Sequence, residues 1–313
     1  MHPTNVSNPP KVRQVDRIQN TYHYFAGSAI LWLNKLRHEI QGYKSPRGFD
    51  ISQTERGIDY DLRVANRYLE YLRRYKGDTL PLSTLNVLEL GPGADLGLGL
   101  YLLMKGVNSY HSLDVHNLVS RVPQEFYDRL FLRFESLEAS PELIHELREQ
   151  LSLTEEGKND RLDYLCRKDF DISVFKNDEI NCVVSNAAFE HFDSPQKTIA
   201  QVSEIVESGA IFYALIDLKT HTRWIRDVDP LNIYRYRDWY YNMLKFRGSP
   251  NRARFADYRN ALAQNGWKNI EVIPIEVLDK TYVDSVQHRL APKFRNSKYD
   301  MSHLSIIVLA EKI

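Results

Sequence analysis

Apolar positions follow two periods along this chain, one near 3.6 residues and one of short continuous runs, and the two take turns from residue 52 to residue 218. Ser52 and Glu55 make an S-x-x-E pair ahead of Ile58, Leu62, Ala65, Leu69 and Leu72, which predicts a capped amphipathic helix ending at Gly77. Leu85–Leu90 then reads as a buried strand running into a glycine cluster. Leu98 to Lys105, closed by Gly106, reads as a helix, and Tyr110–Asp114 as a second strand. Helical signals at Glu125–Phe134 and after Ser140-Pro141 make 116–160 longer than a crossover needs, so it is expected to be a helical insertion.

Leu162–Arg167, Ile180–Ser185 and Ala210–Leu218 supply three further strands, with a helix capped by Ser194 and opened by Pro195 before the last of them. Beyond Lys219 the alternation lapses into a stretch dense in Arg, Tyr and Trp, then resumes with a helix over Phe255–Asn265 and strands at Ile270–Leu278 and Leu304–Ala310. Seven strands alternating with helices predict an α/β fold: a mostly parallel sheet with helices on both faces, because parallel neighbours need helical crossovers. The expected organisation is a lead-in and helical cap over 1–80 and a core over 81–313, with insertions at 116–160 and 219–266. Residues 1–20 are polar and proline-bearing, and are expected to order only on contact.

Composition narrows the picture only slightly. Lys plus Arg and Asp plus Glu each number 41, so no global charge points to nucleic acid or an acidic membrane. Cys166 and Cys182 fall within strand-like runs and are expected to be buried free thiols, in keeping with a cytoplasmic setting. No apolar run approaches the ~18 residues of a membrane span, and the first thirty residues lack the apolar core of a cleaved signal.

Candidate chemistry lies where the strands end. Gly91-Pro92-Gly93 sits between a strand and a helix, where missing side chains let a ligand approach the backbone and the helix start presents unpaired amides. Alone it is merely a tight turn. Glu89 beside it suits the cationic end of a ligand and ill suits a pyrophosphate. Asp114, about 20 residues on, stands where a carboxylate accepts both ribose hydroxyls of an adenosine, although an ordinary strand-end aspartate looks the same.

These residues resemble the class I S-adenosylmethionine-dependent methyltransferase family, whose first motif is an acidic residue followed by G-x-G and whose second strand ends in an acid. Glu89, Gly91, Gly93 and Asp114 match, as do Asp169-Phe170 after the third strand and Asn186-Ala187-Ala188-Phe189-Glu190-His191 after the fourth. The resemblance implies a Rossmann-like sheet, S-adenosyl-L-methionine as cofactor, and a donor site formed by Glu89, Gly91, Pro92, Gly93, Asp114, Val115, Asp169, Phe170, Asn186 and Ala187. The family's third glycine is displaced here to Gly97. A finer likeness, carried by Lys44-Ser45-Pro46-Arg47 and the wording around the glycine turn, is to bacterial methyltransferases encoded among glycan-assembly genes, and implies a sugar-linked acceptor.

On the acceptor side, His191, Asp217 and His221 follow the fourth and fifth strands, and a histidine suits proton removal from a hydroxyl at neutral pH. Asp217 and His221 make only a weak metal pair, so no metal is expected. Lys219 to Arg259 holds ten Lys or Arg against four Asp; Arg223, Tyr234, Arg235 and Arg252 are its expected acceptor contacts, unless the aromatics simply pack the insertion on the sheet. The favoured reading is a methyltransferase acting by O-methylation on a small-molecule or glycan acceptor. An RNA methyltransferase, an NAD-dependent oxidoreductase and a non-catalytic binding module stand as alternatives, with nucleic acid disfavoured by the zero net charge.

Overall fold

The computed structural model describes residues 9–15, 20–41, 50–158 and 160–313. In chain order the elements are β1 (Lys11–Arg13), α1 (Asn20–Gln41), α2 (Thr54–Lys76), β2 (Asn86–Leu90), α3 (Gly97–Met104), β3 (Ser109–Asp114), α4 (Gln124–Ser136) and α5 (Pro141–Glu155). There follow β4 (Leu162–Cys166), β5 (Cys182–Asn186), α6 (Pro195–Ile205), β6 (Ile211–Asp217), α7 (Arg223–Arg226) and α8 (Asp238–Leu244). The chain closes with α9 (Phe255–Gln264), β7 (Trp267–Leu278), α10 (Lys280–Gln287) and β8 (His303–Lys312).

Among the described residues eight strands, one more than expected, form a single sheet in the order β1-β7-β8-β6-β5-β2-β3-β4. The sheet is mixed: β8 runs antiparallel to both β6 and β7, and the remaining pairs are parallel. The added strand, β1, lies in the stretch expected to order only on contact; its pairing with Glu276–Leu278 of β7 is a tertiary contact that local composition does not encode. From β2 the chain steps outward to β3 and β4, returns to β5 beside β2, and steps the other way to β6. That reversal opens a crevice beyond the carboxyl ends of β2 and β5, the usual ligand position in such sheets.

Alternation along the strands divides the core between two faces. Tyr213 of β6 joins Tyr68, Leu72, Leu100, Phe131 and Leu147 of α2 to α5 on one face. Phe212 and Ala214 join Ile199 and Val202 of α6 and Tyr258 and Leu262 of α9 on the other. A third cluster carries the insertion: Leu231, Ile233, Tyr234, Tyr236 and Leu244 pack with Tyr282 of α10, Phe294, and Leu31 of α1. Predicted caps at Ser140 and Ser194 form, their hydroxyls accepting from Leu143 N at 3.2 Å and Lys197 N at 3.3 Å. The capping box at Ser52 does not. Asp50 takes the Ser52 amide at 3.1 Å and starts a short 3-10 turn, so α2 begins two residues later at Thr54. Cys182 is buried as expected, but Cys166 is exposed at the end of the edge strand β4. Lys44-Ser45-Pro46-Arg47 lies outside the described residues.

Candidate active site

The glycine turn leaves β2 at the reversal point. Gly91 has φ +77° and donates its amide to Leu113 O at 2.9 Å, and a Cβ there would stand 2.7 Å from the Ala188 Cβ of the turn after β5. A side chain at Gly91 is therefore excluded both by its left-handed conformation and by the approach of a second strand end. At Gly93, φ +96°, no atom lies within 4 Å of where a Cβ would be, so the turn's backbone fronts open space. Pro92 between them is half-buried.

Glu89 is 1% exposed and both its oxygens are engaged: Oε1 accepts from Tyr68 of α2 at 2.9 Å and Oε2 from Tyr110 of β3. Burial pushes its carboxyl up to about 7, against the pull of the two hydroxyls. Asp61, on the buried stripe of α2, faces Asp95 of the turn; burial raises both carboxyls, Asp95 raises Asp61 further, and the hydrogen bond from Asp61 pulls Asp95 back down. Gly97 permits this meeting, since a Cβ there would fall 2.3 Å from Asp61 Oδ2. Three carboxyls thus gather around the glycine turn, a cluster that a cationic ligand group would relieve.

Asp114 ends β3 and is 7% exposed. Its Oδ1 accepts from the His116 amide at 2.8 Å, and burial again raises its pKa. Among the described residues no cationic side chain is bonded to it, so this acceptor-only group is suited to a diol, as ribose recognition requires. Val115 beside it is half-buried. Asp169 sits differently from expectation: it is exposed and forms a two-pronged pair with Arg167 at 3.0 and 2.8 Å, which holds its carboxyl down to about 2. Phe170 packs on Phe192, ring centroids 4.9 Å apart. Asn186 is held from above by α2, accepting from Arg67 at 2.8 Å and donating to the Tyr60 hydroxyl at 2.7 Å, while Ala187, φ +54°, is exposed at the mouth. Tyr60, Asp61, Arg67 and Tyr68 were not singled out from the sequence. The signal was present in Asp61, a charge on the apolar face at i+3 from Ile58 and i−4 from Ala65.

His191 and His221 come together beyond β5 and β6, their rings 4.8 Å apart. His191 Nδ1 lies 2.7 Å from Gly248 O; a carbonyl only accepts, so Nδ1 carries the proton and Nε2 keeps its lone pair. Burial lowers the pKa of His191 and takes His221 down to about 3, so both rings are neutral at pH 7. Asp217 is less available than expected: it accepts from Arg226 and from the Lys219 amide at 2.9 Å, with His221 Nε2 3.8 Å from its Oδ2. The insertion steadies this corner through Asn251, whose side-chain amide donates to Phe189 O at 2.7 Å and Phe192 O at 3.0 Å.

Three of the four expected acceptor contacts are buried and bonded within the protein. Arg235 is buried and paired with Asp229 at 2.9 Å, where Tyr282 and Asn232 also bond. Arg252 is buried, donates to Ile233 O at 3.0 Å, Tyr236 O at 2.7 Å and Asp238, and lies 4.1 Å over the Tyr241 ring. Tyr234 is 1% exposed and donates to Leu218 O at 2.8 Å. These groups hold the insertion to the sheet, because once buried they must spend their donors and charges on protein partners. Arg223 alone of the four is exposed.

Residues 113–214 match the family model described as a methyltransferase domain. Solved structures resemble the chain at low identity. The CurJ carbon methyltransferase is 15% identical, with 75% of this chain and 50% of that one aligned at a TM-score of 0.41, so the chain spans half that protein's length. An S-adenosylmethionine-dependent methyltransferase from Mesorhizobium loti is 12% identical over 76% of this chain and 95% of its own, TM-score 0.39. The N-methyltransferase 2 of Haemonchus contortus, solved with phosphomonomethylethanolamine and S-adenosylhomocysteine, is 12% identical over 79% and 53%, TM-score 0.42. No curated protein matches the sequence. The match runs from the end of β3 into β6, so the chain carries a methyltransferase domain, and the glycine turn ahead of it lies at the sheet's reversal point.

Proposed function

We propose that the enzyme O-methylates a small-molecule or sugar-linked acceptor, presenting its hydroxyl at the His191–His221 corner. The observation that carries this reading is the pair of half-buried imidazoles, 4.8 Å apart, following β5 and β6. When bound, S-adenosylmethionine supplies a methyl group on a sulfonium sulfur, whose carbon–sulfur bond breaks with its electrons returning to sulfur. What this chain must add is alignment of the acceptor oxygen and removal of its proton. Asp114 and the turn's backbone hold the donor's nucleoside end, and Glu89, Asp61 and Asp95 offset its positive charge. The His191–His221 corner assists loss of the acceptor's proton, and α2 packs over the crevice through Tyr60 and Arg67 on Asn186. Exposed Arg223 and Trp224, 86% exposed, stand at the rim of the insertion, where a polar ring or a phosphate-linked sugar can be gripped.

Capture of labelled product from a cell extract, followed by mass analysis, tests this. A methyl ether on a small or sugar-bearing molecule is expected from the wild type and none from Asp114→Ala, which should also lose S-adenosylhomocysteine binding by calorimetry. Methyl found on nitrogen, on carbon or on RNA overturns the acceptor reading.

A further inference from the structure

Glu190, His191 and His221 have ligand-capable atoms all within 4.8 Å of one another. Two features set this group apart from a chance meeting of polar side chains. Glu190 is 3% exposed, and its Oε2 has no hydrogen-bond partner among the described residues, a costly condition for a carboxylate unless something takes the lone pair. His191 Nδ1 is bonded to Gly248 O at 2.7 Å, the backbone-carbonyl support that fixes a metal-binding imidazole and leaves Nε2 free. We propose that Glu190, His191 and His221 form a binding site for a first-row divalent transition metal ion at the edge of the methyl-donor crevice.

Two imidazoles and one carboxylate suit such ions and leave coordination positions open. Ligands around a common ion at ~2.1 Å lie roughly 3.3 Å apart, so closing the site asks for side-chain movements of about an ångström. The surrounding charges fit. Asp217 bonds Arg226, and Lys219 is paired with Glu276 at 2.6 Å. All three ligands are placed by the fold: Glu190 and His191 by the short turn after β5, which Asn251 clamps, and His221 by the turn after β6. An ion there lowers the pKa of a hydroxyl bound in an open position, the proton leaving to solvent water. This last role rests on the O-methylation reading; binding of the ion does not.

The test reads metal binding alone, so it stands or falls apart from the acceptor. Chelator-stripped protein is titrated with Zn2+ by calorimetry and with Co2+ by visible absorption, alongside Glu190→Gln, His191→Gln and His221→Gln. One equivalent of Zn2+ is expected at micromolar affinity or tighter, with ligand-field bands for bound Co2+. Each variant should bind at least tenfold more weakly while keeping S-adenosylhomocysteine affinity within threefold, which shows that it is folded. Absence of saturable one-to-one binding in the wild type overturns the proposal, as does wild-type affinity in all three variants.

Discussion

At the scale of single residues, the site is governed by how burial treats carboxyls and guanidiniums. Glu89 keeps its proton to about pH 7 in the folded protein and would lose it near 4.5 in the unfolded chain. Between those values the unfolded chain has released its proton and the folded one has not, so Glu89 makes stability fall as pH rises, with no further loss above about 7. Urea denaturation at a series of pH values should show this slope reduced in Glu89→Gln; identical slopes would remove the assignment. Arg235 illustrates the opposite economy. Its Nη2 is paired with buried Asp229, so Arg235→Ala leaves a buried carboxylate without its cation and should cost about 3–5 kcal/mol in urea unfolding. An effect on acceptor KM without loss of stability would instead restore Arg235 as a substrate contact.

At the scale of elements, the donor site is the meeting of α2 with the turn before α3. Asp61 fits against that turn because residue 97 has no side chain. Gly97→Ala is expected to destabilise by about 1–3 kcal/mol, the usual cost of overpacking a closed contact. Asp61→Ala should recover part of that loss, because the clash is with the Asp61 carboxyl; a double-mutant cycle with no coupling would show that the two elements do not depend on each other. The insertion behaves as an element too. It was read as a basic, aromatic lid, yet Tyr234, Tyr236 and Tyr241 lie in a core with α1 and α10, which the long gap between residues 31 and 231 concealed.

At the scale of the molecule, the sheet ties these parts into one binding crevice, so donor binding should stabilise the whole chain. S-adenosylhomocysteine at a hundred times its Kd is expected to add about 2.7 kcal/mol, seen as a rise in Tm that depends on ligand concentration. A Tm indifferent to ligand in the wild type would mean that the crevice does not hold the donor. The zero net charge of the whole chain proved a poor guide to its parts. The basic surplus of the insertion is spent partly inside it, by Arg235 and Arg252, and only partly at the surface, by residues such as Arg223.

Periodicity sufficed for β2 to β8 and for the helices from α2 to α6, because a strand buried on both faces and a helix buried on one write their environment into local residue order. Strand ends followed, and with them the placement of Glu89, Gly91, Gly93, Asp114 and His191 along one edge of the sheet. Sequence order could not supply partners far apart in the chain. That β1 joins β7, that Glu89 is gripped by Tyr68 and Tyr110, that Asp169 turns to Arg167, and that Glu190 meets His221 are decided by which surfaces pack together. The physical reason is one of range. Backbone propensity and hydrophobic alternation act within a turn or two, whereas burial, charge pairing and ligand geometry exist only once distant segments share a space.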